Sequence, residues 1–232
     1  MQENAQFRYE DKYVISLAQH CSMQERLGVL MRPDPHAERG GYRVRSLYLD
    51  DAELSCLRDN ENGTEPREKC RIRIYNGSDE RILLEWKRRE HGMIAKQSCP
   101  IRREQVERLL AGQRLLWDST LHPLLRKLYL QQEMRLLRPR VIVEYDRTPL
   151  LYPDGRVRVT FDCGVRTDAR VAHFFDPYLA ARPILPQDTR LLEVKYNGFL
   201  PDFLQRTPED GHLRRSTFSK YYYCMKLGGF HP

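Results

Sequence analysis

The stretch that decides the fold covers residues 69–96 and reads KCRIRIYNGSDERILLEWKRREHGMIAK. Its first part alternates charged and apolar residues with a period of two, which predicts a strand with one ionic face and one apolar face. Asn76-Gly77 predicts a turn into a second strand, in which Glu85 and Lys87 share a face. His91-Gly92 then turns the chain toward a third strand. The stretch therefore predicts an antiparallel sheet with one ionic side.

A single hairpin of this kind could be an ordinary surface sheet whose charged face is exposed to water. The same alternation recurs, however, in segments 7–14, 140–148, 156–163 and 191–197. A face exposed to water would also carry Thr, Ser, Gln and charges of both signs, whereas the faces inferred here carry mainly Arg and Lys. With a strand at 42–50, the chain contains about eight predicted strands.

Predicted helices at 17–30, 102–110 and 119–137 carry leucine stripes that need an apolar surface to bury against. If the sheet curls until its ionic faces line the interior, its apolar faces lie outside, where these helices can cover them. We therefore predict an α+β fold, an eight-stranded antiparallel β-barrel tunnel with helices packed on the outside. We expect it to form a single domain over residues 1–232.

The composition favours an anionic partner. Lys and Arg number 39 against 32 Asp and Glu, and the net charge of +7 suits nucleic acid, an anionic membrane surface or phosphorylated small molecules. The six cysteines are widely spaced without a Cys-x-x-Cys pair, which argues against a zinc site or a redox pair and suits reduced thiols in a cytoplasmic protein. We expect no secretory leader and no membrane span, so work at a membrane would need a membrane-protein partner.

The ionic faces also predict the chemistry of the ligand. Enclosing so many like charges is costly unless a dense anion pairs with them. A chain of phosphates fits, because Arg forks and Lys point charges both bind phosphate oxygens. Three carboxylates among the cations, Glu10, Glu85 and Glu193, could hold Mg²⁺ or Mn²⁺ against the phosphates. The cations predicted to line the tunnel are Arg8, Lys12, Lys69, Arg71, Arg73, Lys87, Lys96, Arg147, Arg158 and Lys195.

Nucleic acid is the less favoured anion. Proteins that bind single strands usually combine a basic groove with exposed aromatic side chains on which the bases stack. Most of the thirteen tyrosines in this chain fall on predicted apolar faces or in the helix-forming segment 221–223. We therefore expect no nucleic-acid partner.

The order of these motifs resembles a known family. Arg8-x-Glu10-x-Lys12 is similar to the N-terminal Glu-x-Glu-x-Lys signature of the CYTH or triphosphate tunnel metalloenzyme superfamily, with Arg in place of the first Glu. Later motifs resemble the VTC branch, whose eukaryotic members are polyphosphate polymerases, over about residues 7–226. These motifs are Arg71-x-Arg73, Glu85-x-Lys87, Tyr145-Asp-Arg147, Glu193-Val-Lys195 and Ser219-Lys220-Tyr221.

The resemblance implies roles for individual residues. It implies that the tunnel cations bind ATP, triphosphate or polyphosphate and that Glu193 is the principal metal ligand. It also implies that Lys220 contacts phosphate near the reacting group. The candidate catalytic residues are Arg71, Arg73, Lys87 and Lys220.

One position departs from the family pattern. Thr217 stands where the family often has Lys, three residues before Lys220. We expect that Arg214 or Arg215 could supply the missing charge.

The leading functional prediction is metal-dependent transfer of the ATP γ-phosphate onto a growing polyphosphate chain. Hydrolysis of inorganic triphosphate or nucleoside triphosphates is the alternative within the enzyme class. Arg8 favours the polymerase, because it removes a carboxylate from the hydrolase-type signature. A module that binds polyphosphate or inositol phosphates without catalysis is the alternative from another class.

Overall fold

The computed structural model describes residues 6–37, 40–210 and 213–228. Its centre is an antiparallel sheet, around which most of the helices pack. The strands are β1 (Tyr9–Ser16), β2 (Arg32–Pro33), β3 (Tyr42–Asp50), β4 (Arg67–Tyr75), β5 (Ser78–Glu90), β6 (Met93–Pro100), β7 (Arg138–Tyr152), β8 (Val157–Asp168), β9 (Arg182–Pro183) and β10 (Thr189–Tyr196). The α-helices are α1 (Leu17–Leu30), α2 (Ser55–Asn62), α3 (Arg103–Leu110), α4 (Pro123–Arg135), α5 (Asp202–Asp210) and α6 (Lys220–Leu227).

Eight strands follow one another in the order β1-β10-β8-β7-β3-β4-β5-β6, with β2 paired to β7 and β9 paired to β8. Every one of these pairs is antiparallel. The sheet curls until its two edges meet: the N–H of Arg8, just before β1, donates to the carbonyl of Ile94 on β6, and the Ile94 N–H donates back, both at 2.9 Å. The predicted fold, an eight-stranded antiparallel tunnel with helices around it, is confirmed.

The hairpin of β4 and β5 has the predicted geometry. Asn76 and Gly77 both have positive φ, at 52° and 73°, as a two-residue turn between right-twisted strands requires. Arg71 lies opposite Glu85 and Cys70 lies opposite Trp86. Side chains directly opposite each other share a face, so the charged residues face one side of the sheet and the apolar residues the other.

The apolar side of this hairpin packs against α3 and α4, outside the tunnel. Ile72 and Leu84 of the sheet, Val106 of α3 and Leu128 of α4 are all fully buried in one cluster. Burial of this apolar surface at about 25 cal/mol per Å² holds the two helices on the outer wall. The ionic faces are thereby left to the interior.

Helix α1 covers another part of the outer wall. It begins after Ser16, whose hydroxyl accepts the Gln19 N–H at 3.2 Å while the Gln19 side chain accepts the Ser16 N–H at 2.8 Å, a capping box. Met23 and Leu27, one helical turn apart, are buried in the same cluster as Phe161 of β8.

Helix α6, unlike the three helices predicted to cover the outer wall, packs against the inner face of the sheet. Tyr221 and Cys224 are buried with Val143 of β7. Val143 lies opposite Ser46, which in turn lies opposite Arg73, so all three face the interior. The first residue of α6, Lys220, is therefore brought to the inside of the tunnel.

Within the described residues, no helix has both the length and the apolar character that crossing a membrane requires.

We expect Leu128→Ala to lower the free energy of unfolding by about 2–5 kcal/mol, because it opens a cavity between α4 and the sheet. Leu130→Ala on the same helix is the matched control, since Leu130 is 48% exposed and its truncation should cost about 0.5 kcal/mol or less. Urea denaturation of both variants measures the difference. Equal losses in the two variants would contradict the assigned packing of α4.

Candidate functional site

A cavity inside the tunnel gathers most of the predicted site residues. Ten Lys and Arg side chains line it, against only two carboxylates, Glu10 and Glu193. The lining cations are Lys12, Arg67, Lys69, Arg71, Arg73, Lys87, Arg89, Arg147, Lys195 and Lys220. Such an excess of one sign in an enclosed space creates a strongly positive potential and favours a ligand with several negative charges.

Arg71 and Arg73 share the fully buried carboxylate of Glu85. The Glu85 oxygens lie 2.7 Å from Arg71 Nε, 3.5 Å from Arg73 Nη1 and 3.0 Å from the Lys96 ammonium. Burial favours the neutral acid, but Arg73, Arg71 and Lys96 outweigh it and hold the pKa of Glu85 well below its usual value. Three cations surround the Glu85 carboxylate, so Glu85 is better suited to be a counter-ion for the arginines than a metal ligand.

A second ionic cluster joins Glu10 to three lysines. The Lys87 ammonium lies 2.8 Å and the Lys12 ammonium 3.2 Å from Glu10 Oε1, and Lys195 lies 3.8 Å from Oε2. Burial and the nearby Glu193 carboxylate both favour the neutral acid, but the three lysines outweigh them and lower the pKa of Glu10 to about 2. Glu10 is therefore ionised at neutral pH.

Lys195 also forms an ion pair with Glu193, which faces the same cavity. Burial lowers the pKa of Lys195 to about 7, although Glu193 and Glu10 act in the opposite direction. For Glu193, burial raises the pKa, and the neighbouring cations, first Lys195 and then Lys12, reverse this and lower it well below the usual value. This part of the cavity therefore contains a lysine that is only partly charged near neutral pH.

A third cluster centres on Asp162, which was not among the predicted site residues. Arg147 donates two hydrogen bonds to its carboxylate, at 2.7 and 2.8 Å, and the Lys220 ammonium lies 2.6 Å away. Burial opposes ionisation, but Arg147 and Lys220 lower the pKa of Asp162 to about 2. Asp162 thus holds a cation of α6 and a cation of β7 in one place.

Lys69 is the exception among the cavity lysines, because no carboxylate of the described chain lies within ion-pair distance of it. Its ammonium donates instead to Asn60 Oδ1 at 2.6 Å and to Ser219 Oγ at 2.9 Å. Burial, together with the charges of Lys12 and Lys87, lowers the pKa of Lys69 well below its usual value. Asn60, on α2, is a further lining residue that sequence reasoning missed.

Three predicted cations lie outside this cavity. Arg8 is held by its backbone at the junction with Ile94. Lys96 and Arg158 line a second opening near the Asn76 turn. There Arg158 Nη2 donates to Asp34 Oδ2 and to the Tyr42 hydroxyl, both at 2.7 Å. The strand pattern predicted the face of the sheet on which Arg158 lies, but not its position along the tunnel axis.

The expectation that Arg214 or Arg215 compensates for Thr217 is not met. Thr217 lines the cavity. The Arg215 side chain is 70% exposed and pairs with Asp11 at 3.2 Å, and Arg214 is exposed as well. Neither arginine contributes charge to the cavity.

Asp50 anchors the helices that flank the cavity. It is fully buried, and its carboxylate accepts the N–H groups of Asp51, Cys56 and Leu57 and the hydroxyl of Tyr221. Two of these bonds satisfy backbone N–H groups in the first turn of α2. Asp50 thereby connects α2, which carries Asn60, to α6.

The chemistry of the donor set suits a divalent metal only in part of the site. No cluster of three or more His, Cys, Asp or Glu exists within the described part of the chain. Glu10 and Glu193, however, both face the cavity and both contact Lys195. Mg²⁺ commonly uses one or two carboxylates and completes its shell with water and phosphate oxygens, so these two residues fit such an ion when a phosphate is present.

We expect the protein to lose stability as the pH falls from about 4.5 to 2. The pKa values of Glu10 and Asp162 are both about 2 in the folded protein and about 4 when unfolded, so the unfolded state takes up protons first. Each group contributes on the order of 2–3 kcal/mol above pH 5 that is lost on acidification. Urea unfolding at pH 6, 4 and 2.5 measures this. A free energy of unfolding that stays flat over this range would contradict the assignment.

Comparison with known proteins reveals both a family and a set of structural neighbours. A model of the VTC domain matches residues 7–228, and no curated protein matches the sequence. A candidate adenylate cyclase from Bacillus halodurans superposes with a TM-score of 0.55 at 11% identity, covering 91% of this chain and 92% of that one.

Two further structures share the fold. A candidate adenylyl cyclase from Hippeastrum, whose structure is described as revealing a dominant triphosphatase activity, gives a TM-score of 0.56 at 12% identity over 97% of both chains. A candidate adenylate cyclase from Vibrio parahaemolyticus gives 0.50 at 10% identity over 95% of this chain and 98% of that one. At these identities the neighbours establish the tunnel architecture alone.

Proposed function

This chain belongs to the VTC-domain family, and we propose that it is a metal-dependent polyphosphate polymerase that transfers the γ-phosphate of ATP to the end of a polyphosphate chain. One observation carries the proposal. Ten cations and two carboxylates line a single cavity inside the tunnel. Glu85 and Asp162 offset part of this charge from behind the lining, but cations still outnumber carboxylates. Such an excess of positive charge is unfavourable by itself and becomes favourable when a polyanion enters.

The chemistry of the cations suits linked phosphates. The guanidinium groups of Arg71 and Arg147 and the ammonium groups of Lys12, Lys87 and Lys220 all line the cavity, and both kinds of group bind phosphate oxygens. Each of these groups is already held in place by Glu85, Glu10 or Asp162. A cation that is oriented before the ligand arrives loses little entropy on binding and needs little reorganisation during the reaction.

The proposed reaction needs no nucleophilic side chain. A terminal oxygen of the bound polyphosphate forms a bond to the γ-phosphorus of ATP, the bond from that phosphorus to the β–γ bridging oxygen breaks, and ADP leaves. Lys220, Arg71, Arg73 and Lys87 would align the two phosphate groups and stabilise the charge that develops on ADP.

Mg²⁺ or Mn²⁺ would supply further neutralisation of the phosphate oxygens when bound. Glu193 and Glu10 are the residues that would hold the ion, since both face the cavity. Lys195 contacts both carboxylates, so the ion would share their negative charge with this lysine. Glu85, surrounded by three cations, would instead keep Arg71 and Arg73 oriented.

Hydrolysis is the rival reaction, in which water takes the place of the polyphosphate acceptor. The structure of the Hippeastrum neighbour is described as revealing a dominant triphosphatase activity. Incubation of the protein with ATP and Mn²⁺ separates the possibilities. Long-chain polyphosphate with ADP supports the polymerase, orthophosphate with ADP supports the triphosphatase, and tight tripolyphosphate binding with no ADP supports a binding module.

We expect Arg73→Gln to reduce polyphosphate formation about a hundredfold, because it removes an oriented cation from the charge-stabilising set. Arg88→Gln is the matched control, since Arg88 lies on the same hairpin but is exposed and pairs with Glu90 at 3.0 Å. Polyphosphate is quantified directly as the long-chain product, since hydrolysis also releases ADP, and circular dichroism checks that both variants are folded. Wild-type synthesis by folded Arg73→Gln would refute the role of the tunnel cations.

We also expect tripolyphosphate binding to take up a proton at pH 8. In the free protein the pKa of Lys195 is about 7, so this lysine is mostly neutral at pH 8, and a bound polyanion favours its charged form. Affinity should therefore fall as the pH rises above 7. Calorimetry in two buffers of different protonation enthalpy measures the uptake, and Lys195→Arg, which stays charged, should take up fewer protons than wild type. Identical uptake by the two proteins would contradict this assignment.

A further inference from the structure

The β4–β5 hairpin places like charges directly opposite each other at the mouth of the cavity. Arg67 lies opposite Arg89, and on the next inward-facing position Lys69 lies opposite Lys87. All four side chains line the cavity. Like charges at directly opposed positions destabilise a sheet, so two such pairs in succession are unfavourable for the free protein.

The counter-ions in this region compensate for only half of these charges. Lys87 pairs with Glu10 at 2.8 Å, and Arg89 pairs with Glu65 at 2.7 Å. Arg67 donates to the Thr64 carbonyl at 2.9 Å, and Lys69 to Asn60 and Ser219. Neither Arg67 nor Lys69 has an ion pair with any carboxylate of the described residues.

These pairs also lead from solvent to the reaction centre. Arg89 is one third exposed, Arg67 is half-buried, and Arg71, two positions beyond Lys69, is only 16% exposed. Successive positions on one face of a strand are about 7 Å apart, so the residues from 67 to 71 extend about 14 Å along the wall. A ligand that spans this distance must be linear and charged along its length.

We infer that Arg67 and Arg89, together with Lys69, form an outer subsite that binds phosphates of a polyphosphate chain beyond those aligned by Lys220, Arg71, Arg73 and Lys87. The inference rests on the proposed function for the identity of the ligand. It adds that the protein distinguishes long polyphosphate from tripolyphosphate, because only a longer chain reaches both the centre and the mouth.

The test compares the two ligands on the Arg67→Gln/Arg89→Gln double variant of the full chain. Loss of two charge-assisted contacts should weaken binding of long-chain polyphosphate about tenfold or more, and it should weaken tripolyphosphate binding by a clearly smaller factor, since tripolyphosphate loses only the longer-range attraction of the two charges. The dependence of long-chain affinity on salt should also become shallower, because fewer cations contact the ligand. Arg88→Gln, on the opposite face of the same hairpin, is the control and should change neither affinity.

A charge-conserving variant separates the effect of charge from the loss of structural contacts. The variant Arg67→Lys/Arg89→Lys keeps the charges and should retain the preference for the longer chain.

Three outcomes would overturn the inference: unchanged long-chain affinity in the double variant, equal weakening for both ligands, or no preference for the longer chain in wild type. Because binding is measured without turnover, the result is independent of the polymerase assay. If the protein prefers long chains but synthesises none, the subsite is supported and the proposed activity is refuted. If it synthesises polyphosphate but these arginines have no effect on binding, the proposed activity is supported and the subsite is refuted.

Discussion

Repulsion among the cations inside the tunnel is the constraint on which the rest of the structure depends. Arginines and lysines from five strands and one helix line the same cavity, and each would be unfavourable there without a negative partner. Glu10, Glu85, Asp162 and Glu193 are distributed so that most of the cations contact one of them. The carboxylates offset enough charge for the barrel to fold but leave a net positive cavity. The proposed binding of a polyanion would therefore depend on the same ionic clusters as folding.

The outer wall depends on the opposite kind of interaction. Apolar side chains that alternate with the interior cations, such as Ile72 and Leu84, pack against α3 and α4 with no exposed surface. The free energy gained by this apolar packing offsets the repulsion among the cations of the interior. Proteins commonly retain such local strain at functional sites because the surrounding packing over-determines it.

The sequence was most informative about strand faces. A period of two assigns the residues of β4 and β5 to the inside or the outside of the barrel, and the structure agrees with this assignment. A shift of one residue in the strand register would turn the whole ionic face toward the apolar helices. The pattern says nothing about height along the barrel, which depends on the stagger between strands. Arg158 therefore has the predicted face but lies at the other opening, beside Asp34.

Long-range pairing was beyond sequence reasoning for a similar reason. Asp162 and Lys220 are 58 positions apart in sequence, and only the inward packing of α6 brings them together. The apolar residues of α6 would suit the outer wall equally well, so nothing local predicts which side it covers. Asn60 in α2 carries no pattern that marks a cavity residue.

The junction between β1 and β6 has a mechanical consequence. Among the described residues the backbone contributes one pair of hydrogen bonds there, between Arg8 and Ile94, and the ion pair of Lys87 with Glu10 joins β1 to β5, the neighbour of β6, from the inside. This seam is the part of the wall with the fewest bonds to break, so local opening is cheapest along it. The Lys87–Glu10 ion pair therefore has two effects: it ties the edge strand β1 to the opposite end of the sheet, and it fixes a cation that lines the cavity.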